Sequence, residues 1–303
     1  SLCMIVKNEE ETLARCLESV GEAVDEIIIA DTGSTDATKE IASKYTDKIY
    51  DFKWIDDFSA ARNFAFSKAA KDYIFWLDAD DILKPEDKAK LIKLKQSLDG
   101  DIDVVMMKYN TAFDEKGRPT FSFFRERLPR RSLGFKWHEP VHEYLAYYGK
   151  SINSDIAVTH AKDHSKPKSG ENRNLRIYEA VISSGKVLSP RGMNYYAREL
   201  KDNGRFAEAA AMFEKFLESR AGWVEDNITA CGELSRCYTV LKQGDKALAA
   251  LFKSFSYDLP RAELCCDIGY YFKNRGDFQK AAFWFELVLG LQKPENSLGF
   301  IRP

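Results

Sequence analysis

A chain of 303 residues has room for about two domains. Its 45% hydrophobic and 30% charged residues are a globular balance that can bury a core and exclude a disordered polar chain. The 45 Lys+Arg against 47 Asp+Glu leave a net charge of −2, so nothing global points to nucleic acid or an anionic membrane as partner.

In chain order, short apolar runs alternate with amphipathic helices up to about residue 160. Leu2–Val6 reads as a strand, and Glu9–Val20 as a helix with Leu13, Cys16, Leu17 and Val20 on one face. Glu26–Ala30 is a strand and Asp36–Lys44 a helix. Ile49–Phe52 and Ala60–Ala70 repeat the pair. Tyr73–Leu77 is apolar throughout, as expected of a central parallel strand. Pro85 opens a helix within Lys84–Leu98. Val104–Ala112 and Thr120–Arg125 flank the turn residues 114–118 and read as a hairpin added to the sheet. The βαβ order implies a parallel sheet with helices on both faces.

The polar stretch His164–Asn174 reads as a linker, followed by a helix over Arg173–Ser183 with apolar Leu175, Ile177, Tyr178, Val181 and Ile182. Beyond it the periodicity is helical. Gly204-Arg-Phe-Ala-Glu-Ala-Ala, Gly244-Asp-Lys-Ala-Leu-Ala-Ala and Gly276-Asp-Phe-Gln-Lys-Ala-Ala recur near the period of tetratricopeptide helix pairs. The expected division is residues 1–163 as an α/β domain, 164–189 as linker and helix, and 190–303 as all-α tetratricopeptide-like repeats. The six cysteines form no CxxC pair and suit a reducing compartment. The apolar start is interrupted at Lys7, and no window holds 18 uninterrupted apolar residues. The expectation is a cytoplasmic protein without integral membrane contact.

The chemistry concentrates at strand ends. Asp78-Ala79-Asp80-Asp81 follows an apolar run directly, at the sheet edge where α/β folds bind ligands. Clustered carboxylates repel and favour a cation. Asp31-Thr32-Gly33-Ser34-Thr35-Asp36 follows a second strand. Gly33 allows a tight turn there, and Ser34 or Thr35 can cap the next helix. Val6-Lys-Asn-Glu-Glu10 ends a third. The bland alternatives are solvated turns and helix caps. Pro140 favours a loop around His138 and His142, and His160 and His164 read as structural hydrogen-bonding groups. Arg125, Arg127, Arg130 and Arg131 read either as a solvated strand edge or as neutralising charge for a diphosphate.

The set VKNEE, DTGSTD, ARN at 61–63, LDADD and the Trp137…Val141-His-Glu143 segment resembles family 2 inverting glycosyltransferases of the GT-A fold. The branch it resembles carries C-terminal tetratricopeptide repeats and includes bacterial peptide S-glycosyltransferases. The resemblance implies a UDP-sugar donor and a divalent metal, Mn²⁺ or Mg²⁺. It implies that Val6, Asn8 and Glu9 hold the base and ribose, that Asp31 with Gly33 reads the base edge, and that Arg62 lies on the nucleotide side. Asp78 and Ala79 would face the ribose or donor sugar. Asp80 would hold the metal, with His142 as a further metal or diphosphate ligand. The Glu-Asp pair that many members use as base is absent, so Glu143 and then Glu139 are the candidate bases. The implied acceptor is a polypeptide Ser/Thr hydroxyl or Cys thiol on the repeats, with no nucleic acid involved. Transfer to lipopolysaccharide core or another glycan stays open, with the repeats then forming a homodimer. A repeat scaffold with an inactive α/β half is the non-enzyme alternative.

Overall fold

The structure is a computed structural model that describes residues 1–98, 100–161 and 172–292. They form two compact units, one from the residues up to 161 and one from residues 172–292. The first runs β1 (Leu2–Val6), α1 (Leu13–Val20), β2 (Ile27–Asp31), α2 (Thr38–Ser43), β3 (Ile49–Asp51), α3 (Phe58–Ser67), β4 (Phe75–Trp76), β5 (Asp81–Leu83) and α4 (Pro85–Ser97). It continues with β6 (Val104–Phe113), β7 (Pro119–Pro129), β8 (Lys136–His138), β9 (Tyr144–Ala146) and β10 (Ser151–His160).

The period of two along β1 decides the layering. Leu2, Met4 and Val6 share a core with Leu13, Cys16, Leu17 and Val20 of α1 and Leu91 of α4. Cys3 faces the other way and packs with Ile28 and Ala30 of β2 and with Ala65 and Phe66 of α3. Helices therefore cover both faces of a parallel sheet ordered β3-β2-β1-β4.

The Tyr73–Leu77 run is a correction. It does not form a central strand: only Phe75 and Trp76 pair, with β1, and β4 ends the order of its sheet. Its other side is occupied by the β7 chain, where Ile74 N–H donates to Pro129 O at 2.9 Å and Trp76 Nε1 to Glu126 O at 2.7 Å. The expected hairpin forms as β6 and β7, yet it belongs to a second, mixed sheet ordered β5-β10-β6-β7. In that sheet β10 runs parallel to β6 and antiparallel to β5.

The second unit is helical: α5 (Arg173–Ser183), α6 (Pro190–Asp202), α7 (Phe206–Ser219), α8 (Val224–Val240), α9 (Gly244–Lys253), α10 (Ala262–Asn274) and α11 (Phe278–Gly290). Most of the expected linker lies outside the described residues. The helix after it is present as α5, which packs on α6 through Leu175, Ile177 and Tyr178, the last in ring contact with Tyr196. Gly204 and Gly276 sit at φ +76° and +79° in the α6–α7 and α10–α11 turns, a conformation that favours glycine. In the α8–α9 turn Lys242 takes that conformation at φ +59°, and Gly244 instead opens α9. No helix among the described residues is long and apolar enough to cross a membrane.

Phe213 of α7 is fully buried. Phe213→Ala should destabilise the helical unit by about 3–5 kcal/mol, read as an earlier denaturation midpoint of its helical signal. An unchanged midpoint would contradict this packing.

Candidate active site

The ends of β1, β2 and β4 meet on one edge of the parallel sheet. At the β1 end, Val6 O accepts from Thr32 N–H at 2.9 Å and from Thr32 Oγ1 at 3.0 Å. Asn8, at φ +55°, donates its N–H to Ser34 Oγ and accepts at Oδ1 from Thr35 N–H at 2.8 Å. Glu9 donates its N–H to Thr38 Oγ1, and its carboxylate accepts from Thr12 Oγ1, both at 2.7 Å. The two loops are stitched together by these bonds. Ser34 and Thr35 therefore serve Asn8 rather than capping α2, and it is Asp36 that accepts from Thr38 N–H.

Asp31 is buried, and its Oδ1 accepts from Gly33 N–H and Ser34 N–H, both at 2.9 Å. Its Oδ2 is buried with no hydrogen-bond partner. A buried acceptor left without a donor costs roughly 1–3 kcal/mol, and a native fold tolerates that where a ligand supplies the donor. Gly33 sits at φ +104° with open space where a Cβ would lie, so the backbone conformation, not crowding, calls for glycine.

Arg62 joins three segments. Asp57 caps α3 by accepting from Ala60 N–H, which sets the helix that carries Arg62. Its Nη2 donates to Asp78 Oδ1 at 2.8 Å and its Nε to Glu143 Oε1 at 2.7 Å. Its guanidinium lies 5.2 Å from the Trp76 ring centre and 4.9 Å from that of Trp137. The neighbouring Asn63 holds Trp137 by both main-chain groups, at 2.9 Å each. Burial pushes the Asp78 carboxyl up, but Arg62 and then Arg127 outweigh it and hold the pKa at about 2. Burial likewise opposes the charge on Arg62, and Asp78 and Glu143 outweigh it, raising its pKa.

Ala79 is buried beneath the acidic loop. Asp80 and Asp81 lie with His160 so that one ligand atom from each falls within 4.8 Å of the others. Asp81 is fully buried. Its Oδ2 pairs with Arg127 Nη1 at 3.1 Å and accepts from Asp78 N–H, and its Oδ1 accepts from Tyr109 Oη at 2.9 Å. Those bonds engage both Asp81 oxygens, and Asp80 Oδ1 lies 3.5 Å from His160 Nδ1. A mixed carboxylate and imidazole set fits Mn²⁺ better than Mg²⁺, which prefers oxygen ligands alone. The Asp81 contact raises the His160 pKa; burial opposes it, and the Asp80 charge adds to the rise, so a cation there would compete with a proton.

The segment 139–143 carries the remaining candidates. Glu139 and His142 both hold positive φ, +74° and +53°, a strain that persists only where the surroundings impose it. Pro140 O accepts from Phe58 N–H at 2.9 Å, and Glu143 is tied to Arg62. His142 stands outside the Asp80–Asp81–His160 group.

Sequence reasoning missed Asp81, Tyr109, Arg127 and His160 as one assembly. His160 lies opposite Asp81 in the β5–β10 register, a pairing no local pattern announces. The arginine cluster is also divided. Arg125 and Arg127 lie over Trp76, whereas Arg130 and Arg131 sit at the Tyr73 end of β4, away from Asp78.

Residues 1–154 match the family described as Glycosyl transferase family 2, and the chain belongs to that family of glycosyltransferases. It is similar to the SPbeta prophage-derived glycosyltransferase SunS of Bacillus subtilis, with 27% identity over 279 residues, 88% of this chain and 64% of that protein. A TPR repeat-containing protein of Synechococcus elongatus is 54% identical over 83 residues, covering 27% of this chain and 21% of its own. The chain thus spans less than two thirds of either relative. Among solved structures, S. aureus TarS 1-349 in complex with UDP aligns over 99% of this chain and 94% of its own, at TM-score 0.41 and 15% identity. MamA aligns over 43% of this chain and 75% of its own, at TM-score 0.36 and 16% identity.

Removing Arg62 strands two carboxylates. Arg62→Ala should cost about 3–5 kcal/mol in denaturant unfolding. Arg62→Lys should recover less than half, because an ammonium cannot fork to both partners in fixed geometry. Full recovery by lysine would mean that charge alone matters here.

Proposed function

We propose that the protein is a metal-dependent inverting glycosyltransferase that moves a sugar from a UDP-sugar to a Ser/Thr hydroxyl or Cys thiol of a polypeptide. The observation that carries the donor half is the buried, unpartnered Asp31 Oδ2 on the same sheet edge as Asp78 and Asp80. Uracil presents an N3–H donor where cytosine presents an acceptor, so this lone carboxylate oxygen selects uracil. The Val6–Glu9 and Gly33 main chain frames the base and ribose. Asp78, kept ionised by Arg62, accepts from a ribose or donor-sugar hydroxyl.

Asp80 and His160 hold the divalent cation, and His142 faces the diphosphate. When bound, the cation supplies Lewis-acid neutralisation of the UDP leaving group. Glu143 takes the acceptor proton as its oxygen or sulfur attacks the anomeric carbon from the face opposite UDP, which inverts that centre. Arg62 aims this carboxylate through Oε1, leaving Oε2 for the proton; Glu139, on the same strained segment, is the second candidate base. The polypeptide acceptor rests on the helical pairs between residues 190 and 290, since concave helical repeats commonly bind peptides. Residues 1–163 form the catalytic domain in this reading and 164–189 the connection.

Thermal unfolding tests the donor half. UDP with Mn²⁺ should raise the Tm more than UDP alone. Asp80→Ala should abolish that metal increment. Asp31→Ala should shrink the UDP shift to the size of the CDP shift. Equal shifts with UDP and CDP in the wild type would contradict uracil recognition.

Glu143→Gln tests the chemistry. Sugar transfer should fall by about 100-fold or more while the UDP shift stays at the wild-type value. Turnover within a few-fold of wild type would move the base to Glu139.

A further inference from the structure

The polar contacts around His160 constrain one another. Asp81 is ion-paired to Arg127 and acts only as an acceptor. Arg127 is itself fully buried, donates to Trp76 O at 3.0 Å, and lies between the Trp76 and Tyr109 rings at 3.9 and 4.4 Å. Its Nη1 serves both Trp76 O and Asp81, while its Nε and Nη2 are buried with no hydrogen-bond partner. Tyr109 Oη lies 2.9 Å from Asp81 Oδ1 and 3.0 Å from His160 Nδ1. A tyrosine hydroxyl has one proton to give.

Only one arrangement satisfies both distances. If Tyr109 donated to His160, its oxygen lone pairs would face the Asp81 carboxylate at 2.9 Å with no proton between them. Tyr109 therefore donates to Asp81 and accepts from His160 Nδ1–H. The other neighbours of Nδ1 agree, since Asp80 Oδ1 and Asp81 Oδ1 both lie 3.5 Å away and both are acceptors.

We infer that Arg127, Asp81 and Tyr109 form a relay that fixes the proton of neutral His160 on Nδ1, so that Nε2 is the nitrogen offered to the divalent cation held with Asp80. The ligand role rests on the cation reading proposed above; the proton position rests on geometry alone. Tyr109 is a positioning residue in this scheme. It touches neither donor nor cation, and it acts by choosing which ring nitrogen keeps a lone pair. Partners of this kind commonly change metal affinity 10–100-fold.

The full-length protein, labelled with ¹⁵N-histidine, tests this by long-range proton–nitrogen correlation, with the pH raised until the His160 signals reach their neutral limit, since the Asp81 contact raises its pKa. The chain has four histidines, and His160→Gln assigns the signal. The wild type should show a protonated Nδ1 and a bare Nε2, and Mn²⁺ with UDP should broaden the Nε2 signal most strongly through its paramagnetism. Tyr109→Phe should move the proton toward Nε2 and weaken Mn²⁺ binding by roughly 10–100-fold in calorimetry. A proton on Nε2 in the wild type overturns the relay, and so does a Tyr109→Phe protein with unchanged tautomer and affinity. A wild type with Nδ1–H whose Nε2 ignores Mn²⁺ overturns the ligand role and the cation reading while leaving the relay standing.

Discussion

The first unit is organised around a guanidinium that has nowhere else to go. Arg62 lies against two tryptophan rings that pack on each other, with Asp78 on one nitrogen and Glu143 on another. A buried cation without partners is prohibitively costly, and Glu143 is mostly buried with it, while the Asp78 side chain stays 37% exposed. The fold must therefore bring the end of β4 and the segment after β8 to the same turn of α3. Asn63 makes that placement firm by holding the Trp137 backbone, and Pro140 adds a link to Phe58.

A second buried pair, Arg127 with Asp81, does the same work one layer away. Together the arginines hold the acidic loop from both sides. Asp78 pairs with Arg62 and Asp81 with Arg127, and Asp80 Oδ1 lies 3.5 Å from His160 Nδ1. Preorganised charge of this kind needs no rearrangement when a charged substrate arrives, which is how electrostatic catalysis gains most of its advantage. Arg62 also ties the proposed donor side to the proposed base through two separate nitrogens.

Much of this was legible in the sequence because the relevant signals are local. An apolar run followed by Asp78-Ala-Asp-Asp marks a strand end, and the β1 and β2 ends read the same way. The α/β half and the helical half separate by periodicity alone. The Arg62 partnerships were not legible, because they join residues 62, 78 and 143 by tertiary contact. His160 was read as a structural hydrogen-bonding group, and it does contact Tyr109; its place opposite Asp81 was not legible because β10 was not recognised. Its alternation is broken by a register shift between Asn153 and Ala157, and its partner β5 is too short to carry a pattern. The repeat glycines show a similar limit. Gly204 and Gly276 occupy the left-handed turn position that their spacing suggests, while Lys242 occupies the corresponding position before Gly244.

The central claim is that the edge formed by β1, β2 and β4 is a UDP-sugar site with the cation on its acidic loop. A crystal structure of the protein soaked with UDP and Mn²⁺ tests it most directly. The account predicts uracil N3–H within hydrogen-bond distance of Asp31 Oδ2, about 2.7–3.2 Å between heavy atoms. It also predicts the metal on Asp80 and His160 Nε2, with the Arg62 bridge to Asp78 and Glu143 intact. UDP seated elsewhere, or seated here with Asp31 Oδ2 still unpartnered and the metal away from Asp80, would contradict it.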